Sequence, residues 1–60
     1  MASKFVMYQD NRGEWRWRLR DGNYRTTADS GEGYASKSNC KRAIENVKRD
    51  VPGADVEDSA

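Results

Sequence analysis

The sequence predicts a small α+β domain: three antiparallel strands followed by one helix packed on their sheet. Three observations point there. From Trp15 to Arg20 apolar and basic residues alternate without interruption, the period of a strand with one face in a core and the other in water. Clusters of turn formers, Asp10-Asn11-Arg12-Gly13 and Asp21-Gly22-Asn23, bracket that stretch. Further on, Cys40, Ala43, Ile44, Val47 and Val51 recur at the spacing of one helical face.

The first strand is Lys4-Phe5-Val6-Met7-Tyr8-Gln9, rich in aromatic and β-favouring residues, with Phe5 and Met7 on one face and Val6 and Tyr8 on the other. The second sends Trp15, Trp17 and Leu19 inward and Arg16, Arg18 and Arg20 outward. Asp21-Gly22 is expected to supply the positive φ that a tight hairpin turn needs. Residues 24–30 alternate again, Tyr24, Thr26 and Ala28 against Arg25, Thr27 and Asp29, and give a third strand with a thin inward face. Gly31-Glu32-Gly33 breaks regular structure, and Tyr34 follows as the large apolar group of that connection. Ser36 can cap a helix from Lys37 to about Asp50, because its hydroxyl can accept a bond from an otherwise unpaired N–H of the first turn. Glu45 precedes Arg49 by four residues, the order that favours an ion pair worth about 0.2–0.5 kcal/mol. Pro52 lacks an N–H and biases Val51 away from helix, so the helix stops there. In Ala54-Asp55-Val56-Glu57 apolar and acidic residues alternate, which reads either as a short fourth strand or as a disordered end. One domain spans residues 1–60, with 1–3 and 58–60 as flexible ends. Its predicted core is Phe5, Met7, Trp15, Trp17, Leu19, Tyr34, Cys40, Ala43, Ile44, Val47 and Val51.

A chain of 60 residues buries only about 60% of the surface that its unfolded form exposes. Domains this small usually add disulfides, a metal or a partner chain. Cys40 is the single cysteine and there is no histidine, which excludes an internal disulfide and any ordinary zinc or haem site. No cofactor is expected. That leaves association with another chain. The start of the sequence lacks the apolar run of a signal peptide, and no stretch nears the roughly 20 apolar residues of a membrane span. The expected setting is cytoplasmic, where one thiol stays reduced. Net charge is +1, but residues 1–49 hold all eleven basic side chains against six acidic ones, while Asp50, Asp55, Glu57 and Asp58 make the tail acidic. The tail is expected to lie against a basic surface.

The residues that could carry chemistry are few. Arg16, Arg18 and Arg20, joined across strands by Lys4 or Arg25 and near Tyr8, form a basic and partly aromatic sheet face of the kind that binds nucleic acid. The tryptophans point to the core instead, and an isoelectric point near 7.9 is low for such a binder. Gly31, Gly33 and Ser36, on the way into a helix N-terminus, suggest a weak anion site. The spacing is only part of a dinucleotide fingerprint, and a glycine-rich connection is the plainer reading. Lys37, Lys41, Arg42, Lys48 and Arg49 make the exposed side of the helix basic, an ordinary solvated face. Cys40 sits on the apolar stripe, where it reads as a small buried hydrophobe rather than a nucleophile. With no histidine and no paired carboxylates, an enzyme is not expected.

Three pieces in order, Gly13-Glu14-Trp15-Arg16-Trp17-Arg18-Leu19, then Ser30-Gly31-Glu32-Gly33-Tyr34 with Ser36-Lys37, then Ile44-Glu45-Asn46-Val47-Lys48-Arg49, resemble the YegP-like family of small uncharacterised proteins. The resemblance covers nearly the whole chain. It implies a β-β-β-α-β unit that occurs as tandem copies in one chain or as a homodimer, two units sharing one sheet and exchanging their C-terminal strands. For a single copy it implies the intertwined homodimer, with Ala54, Asp55, Val56 and Glu57 as the exchanged strand. It carries over no activity or ligand. The function expected is a non-enzymatic binding or structural module acting as a dimer. The alternative is a nucleic-acid-associated module using Arg16, Arg18, Arg20 and Arg25, and after it an anion- or thiol-dependent enzyme at residues 31–40.

Overall fold

The computed structural model describes residues 2–59. Strands β1 (Lys4–Gln9), β2 (Trp15–Arg20) and β3 (Thr26–Asp29) form one antiparallel sheet in that order. Helix α1 (Lys37–Asp50) follows and ends in a 3₁₀ turn, Val51–Gly53. In the register of β1 with β2, Phe5 faces Leu19 and Met7 faces Trp17, while Lys4 faces Arg20, Val6 faces Arg18 and Tyr8 faces Arg16. Because neighbours across a sheet point the same way, the first set lies under the helix and the second forms the outer face.

Both hairpins are built on one plan, in which an aspartate organises the loop through its backbone and its side chain together. The Asp10 carbonyl accepts the Gly13 N–H (3.0 Å), and its Oδ1 accepts the N–H groups of Arg12 (2.9 Å) and Glu14 (3.0 Å). Asp21 repeats this with Tyr24 (3.1 Å), Asn23 (2.8 Å) and Arg25 (3.0 Å). Each loop then needs one left-handed residue to return to the strand, the fourth from the aspartate counted inclusively. In the first hairpin that residue is Gly13 (φ 80°). In the second it is Tyr24 (φ 63°). The positive φ expected from Asp21-Gly22 therefore falls on Tyr24, because the aspartate fixes the position and glycine occupies a different one.

The third strand is shorter than its alternation predicts, beginning at Thr26 and ending at Asp29, and it is exposed throughout. An irregularity between Leu19 and Arg20 sets Thr26 opposite Arg20 but Ala28 opposite Leu19, so the two no longer share a face. A bulge inserts a residue and breaks the period of two. The chain returns to β2 beyond β3. Ser30 donates its N–H to Trp17 O (2.9 Å), and Tyr34 and Trp15 exchange backbone hydrogen bonds of 2.7 and 2.8 Å. The segment 30–34 thus completes the pairing of β2, with Gly33 pressed on Glu14: a Cβ at Gly33 would stand 2.5 Å from Glu14 Oε1 and 2.8 Å from its Cβ.

Ser36 caps α1 as its position predicts, its hydroxyl accepting the Asn39 N–H at 3.2 Å. The helix lays Cys40, Ile44 and Val47 on the sheet. Trp17, Cys40 and Ile44 are buried, with Phe5, Met7, Trp15, Leu19, Tyr34 and Val47 packed around them. Phe5 meets Trp17 edge to face, ring centres 5.4 Å apart. Ala43 is half-buried.

Two expectations fail at the far end of the helix. Val51 is 61% exposed rather than core: α1 packs on β2 and β1 without reaching β3, and an open cleft lies between Val51 and the side chains of Phe5 and Leu19. Arg49 hydrogen-bonds Asp50 (Nε to Oδ1, 3.1 Å) instead of reaching back to Glu45. Residues 54–59 are exposed and adopt no regular structure, so the strand expected over 54–57 does not form within a single chain. An isolated extended segment has no ladder to complete.

Candidate interaction surfaces

Beside the C-terminal end of α1, Phe5 and Leu19 form the floor and Val47, Lys48, Val51 and Pro52 the wall of an open cleft of about 310 Å³. Its lining is almost wholly apolar. The sequence marks these residues as core without showing that one chain leaves a gap among them. Val56, in the tail, is 97% exposed.

The outer sheet face carries the cations anticipated from the alternation of β2. Arg16 is fixed by Asp10, Nε to Oδ2 at 2.7 Å. That hydrogen bond, helped by the N–H groups of Arg12 and Glu14, holds the Asp10 carboxyl below the usual range, and Asp10 in turn raises Arg16. Arg18 lays its guanidinium over the Tyr8 ring, 4.2 Å from the centroid. Lys4, Arg18 and Arg20 form no ion pair among the described residues, and Arg20 Nε is enclosed without an acceptor. Asp29, across from Arg18, turns its carboxylate to the Gly31 N–H (3.1 Å). Arg25 stands apart from this row. It precedes β3 and pairs loosely with Asp21 at 3.7 Å, an exposed contact in the hairpin loop.

The glycine turn is differently disposed from what Gly31, Gly33 and Ser36 suggest. Gly31 gives its N–H to Asp29, Tyr34 gives its own to Trp15, and the Ser36 hydroxyl serves the helix cap. Two carboxylates border the turn: Glu14 against Gly33, and Glu32, which accepts the Tyr34 hydroxyl at 3.1 Å. Negative charge there opposes a bound anion.

Cys40 is fully enclosed, and burial pushes its thiol pKa up, the reverse of an activated nucleophile. Burial, reinforced by Glu32, likewise raises Tyr34. The indole N–H of Trp17 is buried without a hydrogen-bond partner. On the helix, Lys37 lies over Trp15, Nζ 5.5 Å from the ring centre, while Lys41, Arg42, Lys48 and Arg49 are exposed. Among the described residues no acidic, histidine or cysteine cluster has the makings of a metal site, and no helix is long and apolar enough to cross a membrane.

Residues 10–58 match a family described as a domain of unknown function, DUF1508. A UPF0339 protein of Agrobacterium fabrum is 46% identical over 55 residues, covering 92% of this chain and 87% of its own length. A UPF0339 protein of Neisseria meningitidis serogroup B is 41% identical over 54 residues, 90% of this chain and 95% of its own. In a UPF0339 protein of Stutzerimonas stutzeri, 40% identical over 52 residues, the match takes up 87% of this chain but only 46% of the relative. The solution structure of a Haloferax volcanii protein superposes with a TM-score of 0.90 at 47% identity, over 95% of both chains.

Proposed function

This chain belongs to the DUF1508 (UPF0339) family of uncharacterised small proteins, and we propose that it acts as a non-enzymatic binding or structural module whose working form is a homodimer. The observation that carries this reading is the open cleft over Phe5 and Leu19, found in the same chain as an exposed tail of matching character. In the proposed dimer, residues 54–57 of one chain run as a strand beside the sheet of the other. Val56 enters the cleft, and the acids beside it, Asp55 and Glu57, come near Lys48 at its rim. Charge complementarity supports this, as does the Stutzerimonas relative, which is long enough for two such units in one chain. The lone thiol suits a reducing, cytoplasmic setting.

Light scattering at micromolar concentration tests the proposal, with a two-chain mass expected. Burying two Val56 side chains at roughly 1.5 kcal/mol each implies that Val56→Asp weakens association by at least about a hundredfold. A single-chain mass in a fully folded sample refutes the dimer. An unchanged two-chain mass in Val56→Asp refutes the role of the tail.

A further inference from the structure

We propose that the outer face of the sheet is a binding surface for single-stranded nucleic acid, with Arg18 and Tyr8 at its centre. This face lies opposite α1 and the cleft.

The geometry begins with β2. Alternate residues of a strand recur at about 6.6 Å, so Arg16, Arg18 and Arg20 make a straight row of cations at a repeat comparable to that of successive phosphates along an extended strand. Lys4, opposite Arg20, widens the row. Three of the four, Lys4, Arg18 and Arg20, have no ion-pair partner among the described residues, and the nearest carboxylate across β3, Asp29, is bonded to the Gly31 N–H. Positive charge therefore outweighs negative here, three cations without an ion pair standing against the one carboxylate of Asp29 across the strands. Arg16 is held by Asp10 and contributes order rather than free charge.

A row of cations binds any polyanion, and the aromatic group narrows the choice. Half-buried Tyr8 and Val6 form an apolar floor beside the arginines. The Arg18 guanidinium already stands over the Tyr8 ring, its Cζ 4.2 Å from the centroid, and adds a planar group on which a base can stack. Base over guanidinium over tyrosine places the phosphates along the rest of the row. An acidic peptide gains nothing from that stack, and a duplex conceals its base faces. Single strands offer both groups at once.

Fluorescence anisotropy of a labelled thymidine oligonucleotide, with backbone amide spectra to verify folding, provides the test. The three cations without an ion pair, Lys4, Arg18 and Arg20, set the steepest slope of log affinity against log salt at about −2. Tyr8→Leu is expected to weaken binding by about fivefold or more, and Arg18→Gln with Arg20→Gln to abolish it. Arg18→Lys, which keeps the charge but loses the plane, is expected to lower affinity with little change in the salt slope; it serves if the double variant does not fold. No anisotropy change at low salt, or unchanged affinity in the arginine variants, overturns the proposal. So does equal binding of polyglutamate or duplex DNA with indifference to Tyr8→Leu. The mass measured on the same sample reports the dimer separately, so either reading can fail alone.

Discussion

The two hairpins offer a matched experiment on backbone conformation. Gly13 and Tyr24 occupy the same place in the same turn design, both with positive φ. A left-handed conformation costs an L-residue about 1–2 kcal/mol, and glycine avoids this while losing roughly 0.5–1 kcal/mol more entropy on folding. Tyr24 is 77% exposed, so its side chain adds little packing to offset the strain. Tyr24→Gly should therefore stabilise the fold by about 0.5–1 kcal/mol, and Gly13→Ala, where an added Cβ meets nothing within 4 Å, should destabilise it by a similar amount. For a domain of this size each kcal/mol shifts the midpoint by about 4–8 °C. Thermal unfolding by circular dichroism at fixed protein concentration reads both, with Tyr24→Ala isolating the side chain. If Tyr24→Gly lowers the midpoint, or Tyr24→Ala raises it as much as glycine does, the backbone explanation is wrong.

Four further outcomes follow from the packing. Gly33→Ala should cost about 1–3 kcal/mol through overpacking on Glu14, and Glu14→Gly in the same chain should recover part of it, as denaturant midpoints would reveal. Ser36→Ala should cost about 1 kcal/mol by removing the acceptor for the Asn39 N–H. Because the folded-state pKa of Asp10 is depressed, its stabilising contribution is present above the unfolded value near about pH 4 and is lost as pH falls through the lower folded value. Acid titration of unfolding should accordingly show Asp10→Asn less stable than the parent at neutral pH, the gap narrowing in acid; a constant gap would contradict that assignment. Finally, Cys40 should resist a thiol-specific chromogenic reagent until denaturant is added, its reaction following unfolding.

Much of this architecture is legible because period alone separates strand from helix. The run Trp15 to Arg20 gives its two faces directly, and Ser36 marks where the helix begins; Pro52 falls just past its end, yet Val51 keeps helical backbone (φ −58°, ψ −43°) and the chain goes on into a 3₁₀ turn instead of leaving the helix at Val51. What escapes is set by groups distant in sequence. Nothing around Tyr24 announces a left-handed residue, because its position is dictated by Asp21 and not by its own preference. The bulge opposite Arg20 leaves Ala28 on the face of Leu19 but turns Thr26 to the face of Arg20, separating two residues that alternation puts together. Val51 keeps the spacing of the apolar stripe yet lies outside, because exposure depends on how far the sheet extends beneath the helix. At the outer face the sequence supplies the arginines but not their employment: only the fold reveals that Arg16 is engaged by Asp10, that Arg18 rests on Tyr8, and that Arg25 lies off the row.

One carboxylate organises each hairpin loop, and this bears on what can vary between relatives. Among the described residues, the side chains of Asn11, Arg12 and Asn23 form no hydrogen bond or ion pair. The loop tips are thus free to drift, or to accept foreign residues, so long as Asp10 and Asp21 persist. A chain of this kind is a ready frame for displaying short loops, its turns set by two aspartates and by the left-handed residue that closes each.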